Sequence, residues 1–379
     1  MLTATLEEPT TRAWEPCGDP ERDITVLMSG GVDSSVAAMI LRNEGWNVLG
    51  ITMRVPVADG CGGKRSCCGM EAGYVARELG IAHYYLDVRS EFQRLVIEPF
   101  RQAYRRGRTP SPCVDCNTLI KFWLVWDFVK SRFGIRHLAT GHYARVIRDD
   151  GAYLARGHDH SRDQSYFLYG ISRDRLAFLH LPIGELSKDA VRRLARRAGL
   201  PVARRQDSME LCFAAEGNYR AVLGARVEPG PILDAQGNVI GRHEGIANYT
   251  IGQRKGAGIA AGQPLYVIRI SAEDNSITLG TRDQAESRDV GAEEVNVLIP
   301  DLMHPGTKLR GKIRSQGEPS PCVLVEVGES TIAVRFDEPQ FAVTPGQRLV
   351  LYDAHDRVVA GGVICSLPAA GRVGEGSEL

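Results

Sequence analysis

The chain contains a glycine- and serine-rich string whose residue types suit anion binding. The string is Met28-Ser29-Gly30-Gly31-Val32-Asp33-Ser34-Ser35. It follows a predicted strand, and a predicted helix starts within it. Two glycines let backbone N–H groups converge on a phosphate, hydroxyls add donors, and the helix dipole favours negative charge. The string lacks the Gly-Lys-Ser/Thr ending of a Walker loop. It predicts a phosphate-binding loop, and the alternative is an ordinary tight turn between strand and helix.

Two cysteines lie in contexts where a thiol could act as a nucleophile. Cys116 follows the string Thr109-Pro110-Ser111-Pro112 in a predicted loop, directly before an amphipathic helix. A helix N-terminus stabilises the thiolate, which is the reactive form of cysteine. Cys212 lies in an apolar segment, where an isolated cysteine is more often part of the core. The local sequence therefore favours Cys116 as a nucleophile and leaves Cys212 as a second candidate.

Length and composition indicate a globular protein of more than one domain. The 379 residues are 43% hydrophobic and 24% charged, and the formal net charge is zero. Zero net charge argues against a wholly basic nucleic-acid coat protein, although arginines cluster within 101–108 and 192–205. No run approaches the roughly 18 apolar residues of a membrane span. The first twenty residues lack the apolar stretch of a secretory signal, so we expect a cytoplasmic protein without a membrane partner.

Hydrophobic periodicity predicts the fold. Short apolar runs alternate with helical periodicity between residues 24 and 140, which is typical of a parallel sheet flanked by helices. Predicted strands are 24–28, 47–53, 83–88 and 136–140, and predicted helices are 32–44, 70–79, 90–104 and 119–133. The fold class is α/β with a doubly wound parallel sheet, and its ligand is expected at the carboxyl ends of the strands.

Composition changes predict four segments along the chain. Residues 1–20 form a loose leader, and residues 21–215 form the catalytic domain that carries the phosphate loop. Residues 216–287 form a small central β-rich domain. Residues 288–379, with short apolar runs separated by turn residues, form a C-terminal β-barrel.

The phosphate loop resembles the pyrophosphate loop of the ATP pyrophosphatases, a superfamily with an adenine nucleotide hydrolase-like fold. These enzymes cleave ATP between the α and β phosphates and adenylate a carbonyl or carboxyl oxygen. The resemblance implies ATP and Mg²⁺ as cofactors, with Asp33 helping to hold Mg²⁺ through pyrophosphate. Adenylation makes the oxygen a good leaving group while metal and loop neutralise the departing charge.

Six further strings resemble the bacterial MnmA family of tRNA-specific 2-thiouridylases over residues 26 to about 364. They are Arg108-Thr109-Pro110-x-Pro112-x-x-x-Cys116-Asn117, Thr140-Gly141-His142-Tyr143, Asp163-Gln164-Ser165-Tyr166-Phe167-Leu168, Asp207-Ser208 through Cys212-Phe213, Gly252-Gln253-Arg254-Lys255-Gly256 and Thr344-Pro345-Gly346-Gln347. The resemblance implies ATP-dependent 2-thiolation of the wobble uridine of tRNA. The uridine 2-oxygen would be adenylated and then replaced by sulfur from a cysteine persulfide.

The resemblance also assigns roles to residues. Cys212 would carry the persulfide, and Cys116 would free the sulfur or close a disulfide with Cys212. Positions that match ATP-binding residues are Leu27, Met28, Ser29, Gly30, Gly31, Val32, Asp33, Ser34, Met53 and Gly141. Positions that match tRNA contacts are Ser111, Pro112, Cys113, Arg162, Asp163, Gln164, Arg314 and Ser315. The implied partners are tRNAs for Lys, Glu and Gln and, as sulfur donor, a cysteine desulfurase or its relay protein.

One position departs from the family pattern. Many members carry Asp where this chain has Cys113, so a Cys-x-x-Cys pair stands here. The three thiols of Cys113, Cys116 and Cys212 could ligate three irons of a four-iron iron–sulfur cluster, as in related RNA thiolases. A redox pair or half of a zinc site fits a lone Cys-x-x-Cys equally well.

Two rival functions remain open from sequence. Another pyrophosphate-loop ligase, acting on a small adenylated substrate, would not need two remote cysteines. A non-catalytic RNA-binding or sulfur-carrier protein would release no AMP when tRNA is added.

Overall fold

The chain folds into two compact units. The computed structural model describes residues 4–56, 71–205, 211–214, 222–224, 228–259 and 262–366. The first unit comprises Met1–Pro99 and Pro112–Val222, and the second comprises Phe100–Ser111 and Leu223–Leu379. Within the described ranges, no helix is long and apolar enough to cross a membrane.

A six-stranded sheet forms the centre of the first unit. The strands of this unit are β1 (Thr5–Leu6), β2 (Asp23–Leu27), β3 (Asn47–Arg54), β4 (Ala82–Asp87), β5 (His137–Thr140), β6 (Ala144–Arg148), β7 (Ala152–Arg156) and β8 (Leu179–His180). The sheet order is β1-β4-β3-β2-β5-β8, and only its β1–β4 pair is antiparallel. The predicted doubly wound sheet is confirmed. Its order reverses between β2 and β5, which places the ligand-binding crevice there.

Helices cover the sheet. The helices of the first unit are α1 (Val32–Asn43), α2 (Glu71–Leu79), α3 (Arg89–Phe92), α5 (Pro112–Asp115), α6 (Trp126–Phe133) and α7 (Lys188–Arg197), whereas most of α4 (Glu98–Arg105) belongs to the second unit. The apolar faces of α1, α2 and α7 pack in one core cluster with the β2 residues Ile24 and Val26. Helix α7 begins with a capping bond, since the Ser187 side chain accepts from Ala190 N. The hydrophobic stripes that predict these helices therefore also build the core.

Two helical runs contain π-helical segments. Gln93–Ile97 joins α3 to α4, and Cys116–Val125 joins α5 to α6. Cys116 thus lies inside a helical run that begins at Pro112, and the prediction of a loop up to residue 117 is wrong. Helical backbone tolerates the sequence here because Pro112 occupies the first position of the run, where its missing N–H costs nothing. Single π turns are frequent at functional sites.

The N-terminal segment is not a loose leader in residues 4–22. Strand β1 pairs with β4 at the edge of the sheet. Glu7 forms an ion pair with Arg54, and Thr11 Oγ1 donates to Ile81 O at 2.8 Å. A polar segment without periodicity gives no sequence signal for this, because its stability comes from the edge it covers.

The second unit contains a small sheet and a closed barrel, as predicted. The sheet has the order β10-β9-β12-β11, from β9 (Gly230–Leu233), β10 (Val239–His243), β11 (Tyr266–Ser271) and β12 (Ser276–Gly280). The barrel has the order β13-β16-β15-β14-β17-β18, from β13 (Glu286–Val297), β14 (Lys308–Lys312), β15 (Ser320–Val327), β16 (Thr331–Phe341), β17 (Arg348–Tyr352) and β18 (Val358–Cys365). Closure of the barrel leaves no open strand edge.

A hydrogen-bonded histidine links the N-terminal segment to the start of the phosphate loop. His83 Nε2 lies 2.8 Å from Thr52 Oγ1, which donates to Met28 O at 2.7 Å. Because the Thr52 proton is used there, Nε2 carries the hydrogen and Nδ1 accepts from Thr10 Oγ1 at 2.7 Å. Burial lowers the pKa of His83 to about 4. The imidazole is therefore neutral at pH 7.

Acidification should destabilise the protein through His83. An unfolded histidine titrates near pH 6.5, so between about pH 6.5 and 4 the unfolded state binds more protons than the folded state. Stability should be level above pH 6.5 and fall by about 1.4 kcal/mol per pH unit below it from this residue. Urea unfolding at several pH values measures this slope. His83→Gln should reduce it, and equal slopes in both proteins would contradict the assignment.

Candidate active site

The phosphate loop lies between β2 and α1, as predicted. Ser29 N donates to Ser34 Oγ at 3.1 Å, and Ser35 Oγ donates to Gly31 O at 2.8 Å. Gly30 has φ of +72°, a conformation that favours glycine. The loop is thus closed by its own serines at a helix N-terminus, which supplies N–H donors and partial positive charge for an anion.

The predicted ATP-binding residues lie at the carboxyl ends of three adjacent strands. Residues 27–34 follow from β2, Met53 lies near the end of β3, and Gly141 follows β5. Gly141 packs directly on the phosphate loop, since a Cβ there would lie 2.5 Å from Ser34 N and 2.6 Å from Asp33 C. The structure therefore brings the three sets of residues to the crevice between β2 and β5.

Asp33 accepts hydrogen bonds from two distant residues. Lys188 Nζ lies 2.8 Å from each Asp33 carboxylate oxygen, and Tyr143 OH donates to Oδ1 at 2.8 Å. Lys188 is only 7% exposed. Charge-assisted bonds to both oxygens fix the carboxylate, and the carboxylate in turn neutralises the buried ammonium. These bonds connect Asp33, in the first turn of α1, to Lys188, in the first turn of α7, and to Tyr143, which lies three residues after β5.

Sequence reasoning missed both partners of Asp33. Lys188 is the first residue of α7, where the helix dipole disfavours a cation. A lysine buried at that position needs a compensating anion, but the burial is visible only in the structure. Tyr143 belongs to a recognised string but carried no predicted role.

The string around Gln164 braces Tyr143. Tyr143 N donates to Gln164 Oε1 at 2.9 Å, and Gln164 N donates to Tyr143 O at 2.8 Å. Asp163 accepts from Ser165 N at 3.0 Å and pairs with Arg156 at 3.3 Å, with both side chains 1% exposed. The Asp163 side chain is therefore buried and bonded within the unit, and its contact with tRNA stays a prediction.

The same string also anchors the helical run of Cys116. Asn117 Nδ2 donates to Phe167 O at 3.0 Å, and Lys121 Nζ donates to Asn117 Oδ1 at 2.8 Å. Segment 163–167 is therefore a brace with two contacts: one to Tyr143, which binds Asp33, and one to the residue after Cys116.

A neutral histidine lies next to Gly141. His142 Nδ1 is 2.7 Å from Thr140 Oγ1, and its ring lies 6.0 Å from that of Phe122 in the helical run of Cys116. Burial first, and then the nearby Lys121 charge, lower the pKa of His142 well below its usual range. His142 therefore adds no positive charge to this end of the sheet at pH 7.

The cysteines differ in exposure. Cys116 is 9% exposed, Cys113 is exposed, and Cys212 is partly exposed. Phe213 packs edge-on against Phe92 of α3, with ring centroids 5.8 Å apart. Helix α3 contacts the π-helical segment that begins at Cys116. The segment of Cys212 and the helical run of Cys116 thus share α3 as a neighbour; residues 207–210 of the Cys212 string lie outside the described residues.

The predicted iron–sulfur ligands do not form a metal site in this conformation. Across the described part of the chain, which includes Cys113, Cys116 and Cys212, no group of three His, Cys, Asp or Glu side chains is placed to hold a metal ion. The cluster stays a prediction.

The predicted RNA contacts differ in accessibility. Ser111 and Pro112 are buried, whereas Arg162 and Arg314 are exposed and Gln164 and Ser315 are partly exposed. Arg314 Nη2 donates to Phe341 O at 3.0 Å within the second unit. The exposed guanidinium groups suit contacts to phosphates, which need accessible cations.

Part of the second arginine cluster supports the phosphate loop. Arg205 Nη1 donates to Gly30 O at 2.9 Å, and Arg192 Nη1 donates to Arg205 O at 3.0 Å. The exposed members of the cluster are Arg193, Arg196, Arg197 and Arg204. The cluster therefore combines a loop-supporting pair with a solvated cationic face.

Gly141→Ala should disable the phosphate loop. Its Cβ would collide with the Asp33–Ser34 backbone, so the loop must shift and ATP affinity should fall at least about 10-fold. Calorimetric titration with a non-hydrolysable ATP analogue measures this. Gly151→Ala is the control, because its nearest atoms lie at 3.4 Å. Wild-type affinity in Gly141→Ala would contradict the close approach.

Family models match all three parts of the chain. A tRNA methyl transferase HUP domain matches residues 22–216 and a tRNA methyl transferase PRC-barrel domain matches 222–281. An aminomethyltransferase beta-barrel domain matches 287–364. Among solved structures, the U34-tRNA thiolase NcsA from Methanococcus maripaludis, described with its 4Fe-4S cluster, is 15% identical at a TM-score of 0.33, covering 53% of this chain and 64% of its own.

Curated relatives cover nearly the whole chain. The tRNA-specific 2-thiouridylase MnmA of Pelotomaculum thermopropionicum is 41% identical over 354 residues, covering 90% of this chain and 96% of the relative. The protein of the same name from Trichormus variabilis is 40% identical, covering 90% of this chain and 98% of the relative. The chain belongs to the MnmA family of tRNA-specific 2-thiouridylases.

Proposed function

We propose that this protein catalyses ATP-dependent 2-thiolation of the wobble uridine of tRNA. The observation that carries the proposal is the brace 163–167, which ties the phosphate loop, through Tyr143 and Asp33, to the helical run of Cys116. The phosphate loop and a candidate nucleophile are thereby connected by hydrogen bonds to one segment. The names and the extent of similarity of the curated relatives support the reaction.

The activation step follows from the phosphate loop. The uridine 2-oxygen attacks the α-phosphorus of ATP, pyrophosphate leaves, and the base is adenylated. The loop N–H groups and the N-terminus of α1 stabilise the departing pyrophosphate. Lys188 is the nearest fixed cation to Asp33, and we assign it to balance charge between that carboxylate and the phosphates. Mg²⁺, which needs few protein carboxylates beside phosphate oxygens, would be held at Asp33 and would neutralise phosphate charge.

The sulfur step requires both cysteines. The terminal sulfur of a Cys212 persulfide attacks C2 of the adenylated uridine, and AMP leaves. The Cys116 thiolate then attacks the Cys212 sulfur, which breaks the S–S bond, leaves sulfur on C2 and forms a Cys116–Cys212 disulfide. A dithiol reductant restores the two thiols, and a cysteine desulfurase or relay protein reloads Cys212. We assign the wobble position and tRNAs for Lys, Glu and Gln as the substrate from the family resemblance.

Mass analysis of tRNA nucleosides tests the proposal. Incubation with ATP, Mg²⁺, a persulfide-forming sulfur source and tRNA should yield 2-thiouridine and one AMP per thiolated base. Cys212→Ser and Cys116→Ser should each lower 2-thiouridine at least about 100-fold, because each thiol makes a bond that serine cannot make. Cys17→Ser, at an exposed cysteine of the N-terminal segment, is the control. AMP release that needs tRNA but continues without thiolation in wild type would point instead to another ligase.

Lys188 should matter for activation rather than for RNA binding. Lys188→Met removes the cation that faces Asp33, so the tRNA-dependent rate of AMP formation should fall about 100-fold, while tRNA affinity stays within twofold. Lys188→Arg should recover part of that loss. Lys130→Met, which removes an exposed lysine of α6, is the matched control. An unchanged rate in Lys188→Met would remove Lys188 from the reaction.

A further inference from the structure

Three of the family strings, those that contain Thr109, Gly252 and Gly346, have residues in the second unit. The proposed reaction uses none of the contacts that these residues make there. Residues 106–111, here called the linker, join α4 to α5 and belong to this unit together with Gly252 and the turn 344–347. The linker leads directly into the helical run of Cys113 and Cys116. The position of the linker backbone therefore affects the position of the first turn of that helical run.

The barrel turn holds the linker backbone. Thr109 N donates to Pro345 O at 2.9 Å. Gln347 Nε2 lies 3.0 Å from Thr109 O and 3.4 Å from Pro110 O, so one side-chain amide binds two successive linker carbonyls. Gly346 has φ of +93°, and a Cβ there would lie 3.0 Å from both N and O of Thr109. The turn thus approaches the linker as closely as a glycine permits.

Two further contacts fix the linker. Arg108 Nη1 pairs with Glu293 Oε1 of β13 at 2.8 Å. A Cβ at Gly107 would lie 2.9 Å from Ile270 Cγ2 of β11, so the linker also packs closely on the small sheet. The linker is therefore held by both parts of the second unit over four consecutive residues, 107–110.

The turn itself is hydrogen-bonded to neighbouring parts of the barrel. Gly346 N donates to Ile364 O at 2.9 Å, and Ile364 N donates to Gln347 O at 2.8 Å. Thr344 Oγ1 donates to Ala342 O at 2.8 Å, and Ala342 directly follows Phe341, whose carbonyl accepts from Arg314. The predicted RNA contact Arg314 is thus separated from the linker by this one strand end and turn.

We propose that turn 344–347 is a positioning element for Cys116, with Gln347 as its positioning residue. By holding Thr109 and Pro110, the turn sets the start of the helical run that presents Cys113 and Cys116, and couples that start to the strand end at Phe341, whose carbonyl accepts from Arg314. The proposal rests on the proposed function for its consequence in catalysis. Displacements of about 1 Å in a reacting group can cost about 100-fold in rate, so a hydrogen bond remote from the chemistry can control it.

The first test needs no RNA. Gln347→Ala removes both donors to the linker, and the Cys116 alkylation rate with iodoacetamide, resolved by peptide mass spectrometry, should rise at least fivefold. Cys322, buried in the barrel, should react at the wild-type rate and so report that the barrel is intact. Gln236→Ala, at the exposed tip of the β9–β10 hairpin, should change neither rate. An unchanged Cys116 rate with Gln347→Ala overturns the proposal.

A second variant covers loss of the barrel fold. If Cys322 also reacts faster in Gln347→Ala, Arg108→Ala is measured instead, since it releases the linker from its own side. Faster Cys116 alkylation with protected Cys322 supports the proposal, and unchanged Cys116 alkylation overturns it.

Measuring 2-thiouridine formation distinguishes failure of the positioning role from failure of the proposed function. Gln347→Ala should form 2-thiouridine at least 10-fold more slowly at saturating tRNA, with ATP affinity and tRNA affinity within twofold of wild type. If wild type forms no 2-thiouridine, the proposed function fails and the alkylation rates alone decide the positioning role. Wild-type thiolation by Gln347→Ala overturns that role.

Discussion

The hydrogen bonds to the Asp33 carboxylate fix the phosphate loop, the start of α7 and the residues after β5 relative to one another. Two 2.8 Å contacts from a buried ammonium and one from a phenol converge on it. Burying an isolated lysine is costly, and breaking a buried pair leaves a charge without compensation. Asp33 and Lys188 therefore constrain each other, and α1 and α7 must keep their present relation for both to be satisfied. The phosphate loop is part of this constraint, because Asp33 lies within it.

The brace 163–167 extends that constraint to the cysteine side. Its own base is the Asp163–Arg156 pair, whose side chains are 1% exposed and which also bonds Ser165. A buried ion pair supplies specificity of geometry more than net stability. The segment that this ion pair holds makes two contacts, one with Tyr143 and one with Asn117. One hydrogen-bond network therefore connects the phosphate loop to the helical run of Cys116.

The second unit holds a short segment that lies between two parts of the first unit in sequence. Four residues of the linker, 107–110, are packed or bonded to it, although they come from the middle of the catalytic domain's sequence. The helical run of Cys116 begins at Pro112, two positions after the last of these four residues.

The sequence by itself determined the features that depend on the types and spacing of neighbouring residues. Period 2 and period 3.6 patterns predicted the doubly wound sheet and its helices, and glycine and serine spacing predicted the phosphate loop between β2 and α1. Tertiary structure alone decided that Lys188 binds Asp33 across 155 positions and that Gln347 binds Thr109 across 238. It also decided that Asp163 is buried and that residues 4–22 pack on the sheet. Periodicity reports which face of an element is buried, whereas these contacts depend on which elements meet, and no local pattern encodes that.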